Sequence, residues 1–164
     1  MFSLFPVALS LAAATAATGG ATFCKPAETP VFSCELGKKR VSVCASDRLL
    51  TYRYGTPGKV PEMQISSNGK DGRVHSDVVV GGGGGQQTSL RFSNGNTHYI
   101  IFSGYAGSLT DSPGKQWSGL DVLKGTTSTS NRQCGARNLV PLTSSGVPTF
   151  VPADEENGPF SGWR

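Results

Sequence analysis

The sequence predicts an all-β fold, a small antiparallel β-barrel or sandwich of seven to eight short strands. Short runs of alternating apolar residues recur from Val31 onward and end at glycine, proline or asparagine, which is the pattern of half-buried strands. The 164 residues include 22 glycines and 10 prolines without a period of three, so turns are frequent and a collagen-like chain is excluded. No segment shows a convincing helical period.

Residues 1–21 are predicted to be a signal peptide, because they carry no charged side chain and end in small residues. Their apolar stretch of roughly 14 residues is shorter than the 20 or so that a membrane-spanning helix needs. A buried N-terminal helix is the alternative, which Pro6 weakens. Bulky Phe23 before Cys24 does not suit a lipoprotein site. We therefore expect a periplasmic or secreted protein without a stable membrane anchor.

All four cysteines follow this segment, and an even number in an exported chain indicates two disulfides. Three pairings are possible. We assign Cys34 with Cys134, joining the first and last strands, and Cys24 with Cys44. The cysteines form no Cys-x-x-Cys pair, so we expect neither a zinc site nor another metal or cofactor.

Residues 22–134 are predicted to form the β domain. Its first strands are expected at residues 31–35, 39–44, 50–54 and 60–66, with Pro61 placing the last of these at an edge or a strand start. Alternation puts Phe32 and Cys34 on one face of the first strand, and Val41 and Val43 on one face of the second.

The clearest local signal is the hairpin at residues 88–102. Leu90 and Phe92 alternate with polar residues, Asn94-Gly95 follows, and a second apolar run begins at Thr97. Asn-Gly between such runs predicts a type I′ turn, because both residues tolerate positive φ. Strands at residues 119–124 and ending at Cys134 complete the domain, which we expect to be monomeric.

Residues 135–164 are rich in proline and glycine, lack periodicity, and are predicted to form a mobile tail. Phe150, Phe160 and Trp163 are unusual in a pure spacer. They either dock on the domain, serve a partner, or are occasional aromatic residues of an unstructured end.

No coherent catalytic set is visible, so we do not expect an enzyme. His75 and His98 are the only histidines, His75 in a glycine-rich turn region and His98 in a strand. A serine hydrolase would need Ser103 near His98 with an aspartate such as Asp121, and no Gly-x-Ser-x-Gly elbow supports it. Residues 81–85 are all glycine but lack the Gly-Lys-Ser/Thr of a phosphate loop, so they predict a flexible loop.

The formal net charge is +4, and Lys38-Lys39-Arg40 is the densest basic run. Such a run on a hairpin turn is either solvated surface or a site that attracts anionic glycans, lipopolysaccharide or a membrane surface. We do not expect a nucleic-acid partner, because no motif that reads DNA or RNA is present.

The cysteine-bearing residues 32–46, the Tyr-Arg-Tyr-Gly of residues 52–55, and the runs at residues 90–95 and 99–104 resemble a group of small exported proteobacterial proteins of unknown function. The resemblance covers about residues 31–134 and implies no activity.

An early strand with a cysteine, a sheet of short strands and a late cysteine are also similar to the exported inhibitors of c-type lysozyme. That similarity implies a small antiparallel barrel and a Ser-Gly-x-x-Tyr loop that enters the lysozyme cleft. This chain departs from the pattern, since in Ser103-Gly104-Tyr105 the tyrosine comes two residues early. Its charge of +4 would also repel a cationic lysozyme.

We expect a non-catalytic exported binding module whose ligand is an unknown protein or an anionic glycan. The favoured binding residues are Ser103, Gly104 and Tyr105 in the loop after the hairpin, with Trp117 nearby, because tyrosine and tryptophan supply rigid contact area. The alternatives are that these residues only close the barrel, or that they block a cell-wall hydrolase.

Overall fold

The computed structural model describes residues 22–137 and 139–164, so the predicted signal peptide lies outside the described residues. In the described ranges the chain forms nine strands and one short 3-10 turn at Ser144–Gly146. The strands are β1 (Thr29–Leu36), β2 (Lys39–Ser46), β3 (Leu49–Gly55), β4 (Met63–Ser67), β5 (Val74–Val80), β6 (Gln86–Asn94), β7 (Thr97–Tyr105), β8 (Gln116–Lys124) and β9 (Thr127–Gln133).

The strands form two antiparallel meanders, which confirms the all-β prediction. Sheet A has the order β1-β2-β3-β4 and sheet B the order β5-β6-β7-β8-β9. The strand absent from the sequence prediction is β5, which contains His75 and therefore places that histidine in a sheet and not in a turn. Its valines at 78, 79 and 80 are consecutive and lack alternation, so the period-two criterion did not detect it.

Two-residue turns join several neighbouring strands, and glycine is the first loop residue in three of these turns. Gly37, Gly95 and Gly125 have φ of 67°, 58° and 59°. The hairpin predicted at Asn94-Gly95 is present, but Asn94 pairs with Thr97, so the loop residues are Gly95 and Asn96. Only Gly95 has positive φ. A type I′ turn needs positive φ at both loop positions, so the predicted turn type is wrong although the hairpin is right.

The two sheets share one core. Tyr52 of β3 lies with its ring centroid 5.5 Å from that of Phe92 of β6 and 5.5 Å from that of Tyr99 of β7. The faces that meet here are called the inner faces. Their buried apolar side chains include Phe32, Cys34, Val41, Val43, Leu50, Tyr52, Leu90, Phe92, Ile101 and Leu120. This packing of two sheets face to face is a sandwich and not a closed barrel.

Both disulfides are the pairings favoured from the sequence. Cys24 bonds to Cys44, which attaches the N-terminal segment to β2, and Cys34 of β1 bonds to Cys134, directly after β9. The second bond therefore links sheet A to sheet B. The described residues contain no free cysteine, which indicates an oxidising, non-cytoplasmic compartment.

A buried ion pair also holds the N-terminal segment. Arg53 donates to both carboxylate oxygens of Glu28, at 2.5 and 2.7 Å, and also to the carbonyl of Phe23 at 3.3 Å. The hydrogen bonds from Arg53 lower the pKa of Glu28 against the opposing effect of burial.

The segment predicted to be a mobile tail makes contacts along most of its length. Val140 forms an antiparallel bridge to Ser33 at the edge of β1, and Ala153 forms a parallel bridge to Ser76 at the edge of β5. Leu142 and Val151 join the core. By bonding to one outer strand of each sheet, this segment covers part of two strand edges. Composition could not indicate this, because the partners are distant in sequence.

Candidate functional site

The four residues favoured from the sequence line one groove at an end of sheet B, with a volume of about 1010 Å³. They do not lie in a loop after the hairpin: Ser103, Gly104 and Tyr105 are the last three residues of β7, and Trp117 on β8 pairs with Gly104. The opposite wall of the groove comes from the segment after β9, including Leu139, Pro141, Leu142, Thr143 and Ser144.

Ser103 has a structural role in this wall. It is buried, its hydroxyl lies 2.7 Å from the hydroxyl of Ser118 on β8, and it accepts a hydrogen bond from the backbone N–H of Leu142 at 2.9 Å. It therefore fastens the C-terminal segment to sheet B. The Ser103 oxygen therefore takes part in two hydrogen bonds within the fold.

Gly104 is required by the packing of Trp117. A Cβ atom at position 104 would lie 2.6 Å from the indole ring of Trp117, which lies across the strand at this point. The indole N–H donates to the side-chain oxygen of Gln87 at 3.1 Å. Gly104 and Trp117 were both predicted to be binding residues, and their contact with one another gives them a packing role.

Gln87 was not identified from the sequence, and it organises this end of the molecule. Its side chain is fully buried and faces away from the core. Besides the bond from Trp117, its oxygen accepts from the backbone N–H of Arg164 at 3.0 Å, and its amide donates to the carbonyl of Gly162 at 3.0 Å. Trp163 then lies 5.8 Å from Trp117 between ring centroids. A polar residue within a strand carries no sequence signal for such a role.

Tyr105 is the predicted residue that is most available to a ligand, with 45% of its surface exposed. Val80 and Leu109 near this end of sheet B are also exposed. The glycine loop predicted at residues 81–85 joins β5 to β6 and packs on the chain after β7, since a Cβ at Gly107 would lie 1.9 Å from the carbonyl oxygen of Gly83. The exposed apolar side chains at this end therefore lie around two loops, the glycine loop and the chain after β7, which pack tightly against one another.

Charges around the groove have one sign. Lys115 and Arg164 line it, and no acidic side chain is among its lining residues in the described ranges. Arg164 lies 3.4 Å from Asp121 and donates to the carbonyl of Phe160 at 2.7 Å, so its charge is partly balanced. Lys115 forms no ion pair with another described residue and is exposed. The groove thus favours an anionic group near Lys115.

The structure does not assemble the serine hydrolase set. Ser103 and His98 are an odd number of residues apart on β7, so their side chains lie on opposite faces of sheet B. His98 Nδ1 lies 2.8 Å from the hydroxyl of Ser93, whereas Asp121 accepts from Ser128 at 2.5 Å. Burial and the charge of Arg91 lower the pKa of His98, opposed by Asp154.

One group of potential metal ligands occurs among the described residues: Cys24, Glu28 and Cys44. The two sulfur atoms form a disulfide, and the carboxylate is bound by Arg53. These three residues are therefore not available as a thiolate site. Elsewhere a smaller cavity of about 330 Å³ lies between β5, β6 and the chain end, lined by His75, Arg91 and Phe160 among others.

No protein-family model, curated protein or solved structure compared with the chain matches it. Within residues 22–137 and 139–164, no helix has the length and apolar character needed to cross a membrane.

Proposed function

We propose that the chain is a non-catalytic exported binding module, periplasmic or secreted, whose ligand site is the groove between β8 and the segment after β9. The observation that supports this most directly is an exposed tyrosine, Tyr105, beside a groove of about 1010 Å³ with basic residues and no acidic lining among the described residues. Clefts of this size accept ligands of several chemical units. An anionic glycan or a segment of a partner protein fits this chemistry.

The non-catalytic part of the proposal is supported by the hydrogen bonds of the polar side chains that line the groove or lie beside it. Ser103 and Ser118 bond to one another, and Gln87 bonds to Trp117. Hydroxyl and amide groups committed in this way stabilise the wall of a site and are not poised to attack a substrate. Tyr105 and Lys115 then supply contact area and charge.

The test compares retention of wild-type protein, Tyr105→Ala and Val60→Ala on two matrices. One carries heparin as the anionic-glycan probe, and the other carries exported proteins of the producing cells. Val60 is the matched control, because it is 85% exposed and belongs to the connection between β3 and β4 in sheet A. We expect Tyr105→Ala to weaken retention on one matrix by about tenfold, whereas Val60→Ala matches wild type.

Equal retention of all three proteins on both matrices contradicts the proposal. Retention on heparin that is the same for all three and lost in moderate salt reports only the net charge of the protein.

A further inference from the structure

We propose that the groove binds an extended peptide segment of a partner protein, which adds as a strand to an open edge of β8 and carries an acidic side chain toward Lys115. This inference rests on the proposed function, since it names the ligand class of the same groove.

The open edge results from the end of β9. The backbone N–H of Cys134 donates to the carbonyl of Ser118 at 2.8 Å, so the polar backbone groups of Ser118 face the β9 side of β8. Beyond this point Cys134 is held by Cys34, and the N–H of Gly135 donates to the carbonyl of Glu35 on β1 at 2.9 Å. The disulfide thus draws the chain away toward sheet A and leaves the first residues of β8 without a neighbouring strand on that side.

Strand geometry identifies the unpaired groups. In an antiparallel strand, alternate residues direct their N–H and C=O to the same side. Gln116 therefore faces the same side as Ser118, while Trp117 faces β7. Among the described residues, the N–H and C=O of Gln116 and the N–H of Ser118 have no hydrogen-bond partner. Gln116 and Ser118 both line the groove.

Exposed Gln116 offers one donor and one acceptor to the backbone of an added strand. Ser118 is buried and lies opposite Cys134, so the added strand would pair with β8 at Gln116. Side chains of such a strand alternate between its two sides, and apolar contacts are available from Leu139 and Pro141 across the groove. A glycan would use the same basic residue but would have no preference for the backbone spacing of β8. The edge therefore favours a peptide.

Charge complementarity favours an acidic residue in that peptide. Lys115 precedes β8 directly, lines the groove and has no ion-pair partner in the described part of the chain. An aspartate or glutamate of the bound segment would give Lys115 a partner. Acidic residues within the groove would oppose this, and its described lining contains none.

The test is a selection from a phage-displayed library of random octapeptides on the mature protein. The selected peptides are then measured by fluorescence anisotropy against wild-type protein, Gln116→Pro and Gln116→Ala. Proline removes the outward N–H together with the glutamine side chain and fixes φ, which strands tolerate at an edge position, whereas alanine keeps the N–H and removes only the side chain beyond Cβ. We expect enriched peptides to contain an acidic residue, to bind Gln116→Pro at least tenfold more weakly, and to bind Gln116→Ala within about twofold of wild type.

A second measurement keeps the proposal falsifiable if Gln116→Pro does not fold. Alternate backbone nitrogens of the selected peptide form two sets, one on each side of the bound strand. N-methylation of one set should abolish binding to wild-type protein, and N-methylation of the other set should not, because only one side of an added strand bonds to β8. Lys115→Ala should reduce the preference for the acidic peptide over its lysine-substituted form by about tenfold.

Absence of enriched peptides, or equal binding to wild-type protein and folded Gln116→Pro, overturns the peptide proposal. If Tyr105→Ala still weakens retention on heparin in that case, the groove binds a glycan and the proposed function stands. If Tyr105→Ala changes retention on neither matrix, the proposed function fails as well.

Discussion

Tyr52 is buried completely in the core, and its hydroxyl is one of a small number of buried polar atoms without a hydrogen-bond partner in the described part of the chain. Burial raises the pKa of this phenol far above its ordinary value, because ionisation inside an apolar core is unfavourable. The ring supplies the packing on Phe92 and Tyr99. The hydroxyl oxygen loses its hydration on folding and forms no hydrogen bond that would compensate for that loss.

We expect Tyr52→Phe to raise the free energy of unfolding by about 1 kcal/mol, because it removes an unsatisfied buried hydroxyl and keeps the ring. Urea unfolding of the two proteins measures the change, with Tyr54→Phe as the control at a half-buried tyrosine of the same strand. A loss of stability in Tyr52→Phe would show that the hydroxyl has a partner in solution.

At the scale of an element, residues 152–164 form a strap across the outer face of sheet B, the face directed away from the core. Asp154 pairs with Arg91, whose guanidinium also lies 4.2 Å from the ring centroid of Phe160. Phe160 in turn lies 4.5 Å from the ring of His98. Ile100 and Phe102 on this face are fully buried although they lie outside the main apolar cluster. The strap therefore closes a second, smaller core.

Docking of the strap should weaken at low pH. The pKa of His98 is lower in the folded protein than its ordinary value of 6.5, so neutral His98 stabilises the fold. This contribution is complete above about pH 6.5 and is lost as the pH falls through the folded pKa. The charged or titratable groups nearby are Arg91, Asp154 and, in the adjoining cavity, His75 and Glu155.

Tryptophan fluorescence between pH 7.5 and 5 measures this effect, because Trp163 on the strap packs against Trp117. We expect a red shift of the emission as the pH falls in wild-type protein and a flatter profile in His98→Gln, whose side chain does not titrate. The same midpoint in both proteins would assign the transition to another group.

At the scale of the whole molecule, two meanders of adjacent strands are held together by a shared core and by one long-range covalent bond. The Cys34–Cys134 disulfide closes a sequence separation of 100 residues, whereas Cys24–Cys44 closes 20. The longer link restricts the unfolded chain more, and it also ends the pairing of β9 with β8 at the groove. Stability and the open edge of β8 thus depend on the same bond.

Removing the longer disulfide should cost more stability. From the loop lengths, Cys34→Ser with Cys134→Ser is expected to lower the free energy of unfolding by about 4–5 kcal/mol, and Cys24→Ser with Cys44→Ser by about 3 kcal/mol. Urea unfolding of the two double variants gives both values. A larger loss in the Cys24/Cys44 variant would show that attachment of the N-terminal segment matters more than chain entropy.

Local patterns were sufficient for most of the sheet. Alternation located Phe32, Val41 and Val43 on buried faces, and Asn94-Gly95 located the central hairpin. The same criterion missed β5, whose valines are consecutive. For the candidate site, Tyr105 was expected in a loop with Trp117 nearby, whereas the groove that both residues line, Gln87 and the open backbone of Gln116 were not foreseen. Neither glutamine carries a pattern of its own, since their roles come from which chain segments lie beside them.

The all-β class, the positions of the turns and the presence of two disulfides followed from amino-acid order, because strand periodicity, positive φ at glycine and cysteine parity act over short distances or within a small set of choices. The order of the cysteines left three pairings possible, and the structure selects Cys24–Cys44 and Cys34–Cys134. The docking of residues 139–164 on both sheets was decided by tertiary structure alone. Its anchors pair residues as far apart as Gln87 and Arg164, and such contacts depend on complementary surfaces that exist only after the sheets have formed. The groove arises in the same way, where a long-range disulfide turns the chain away from β8.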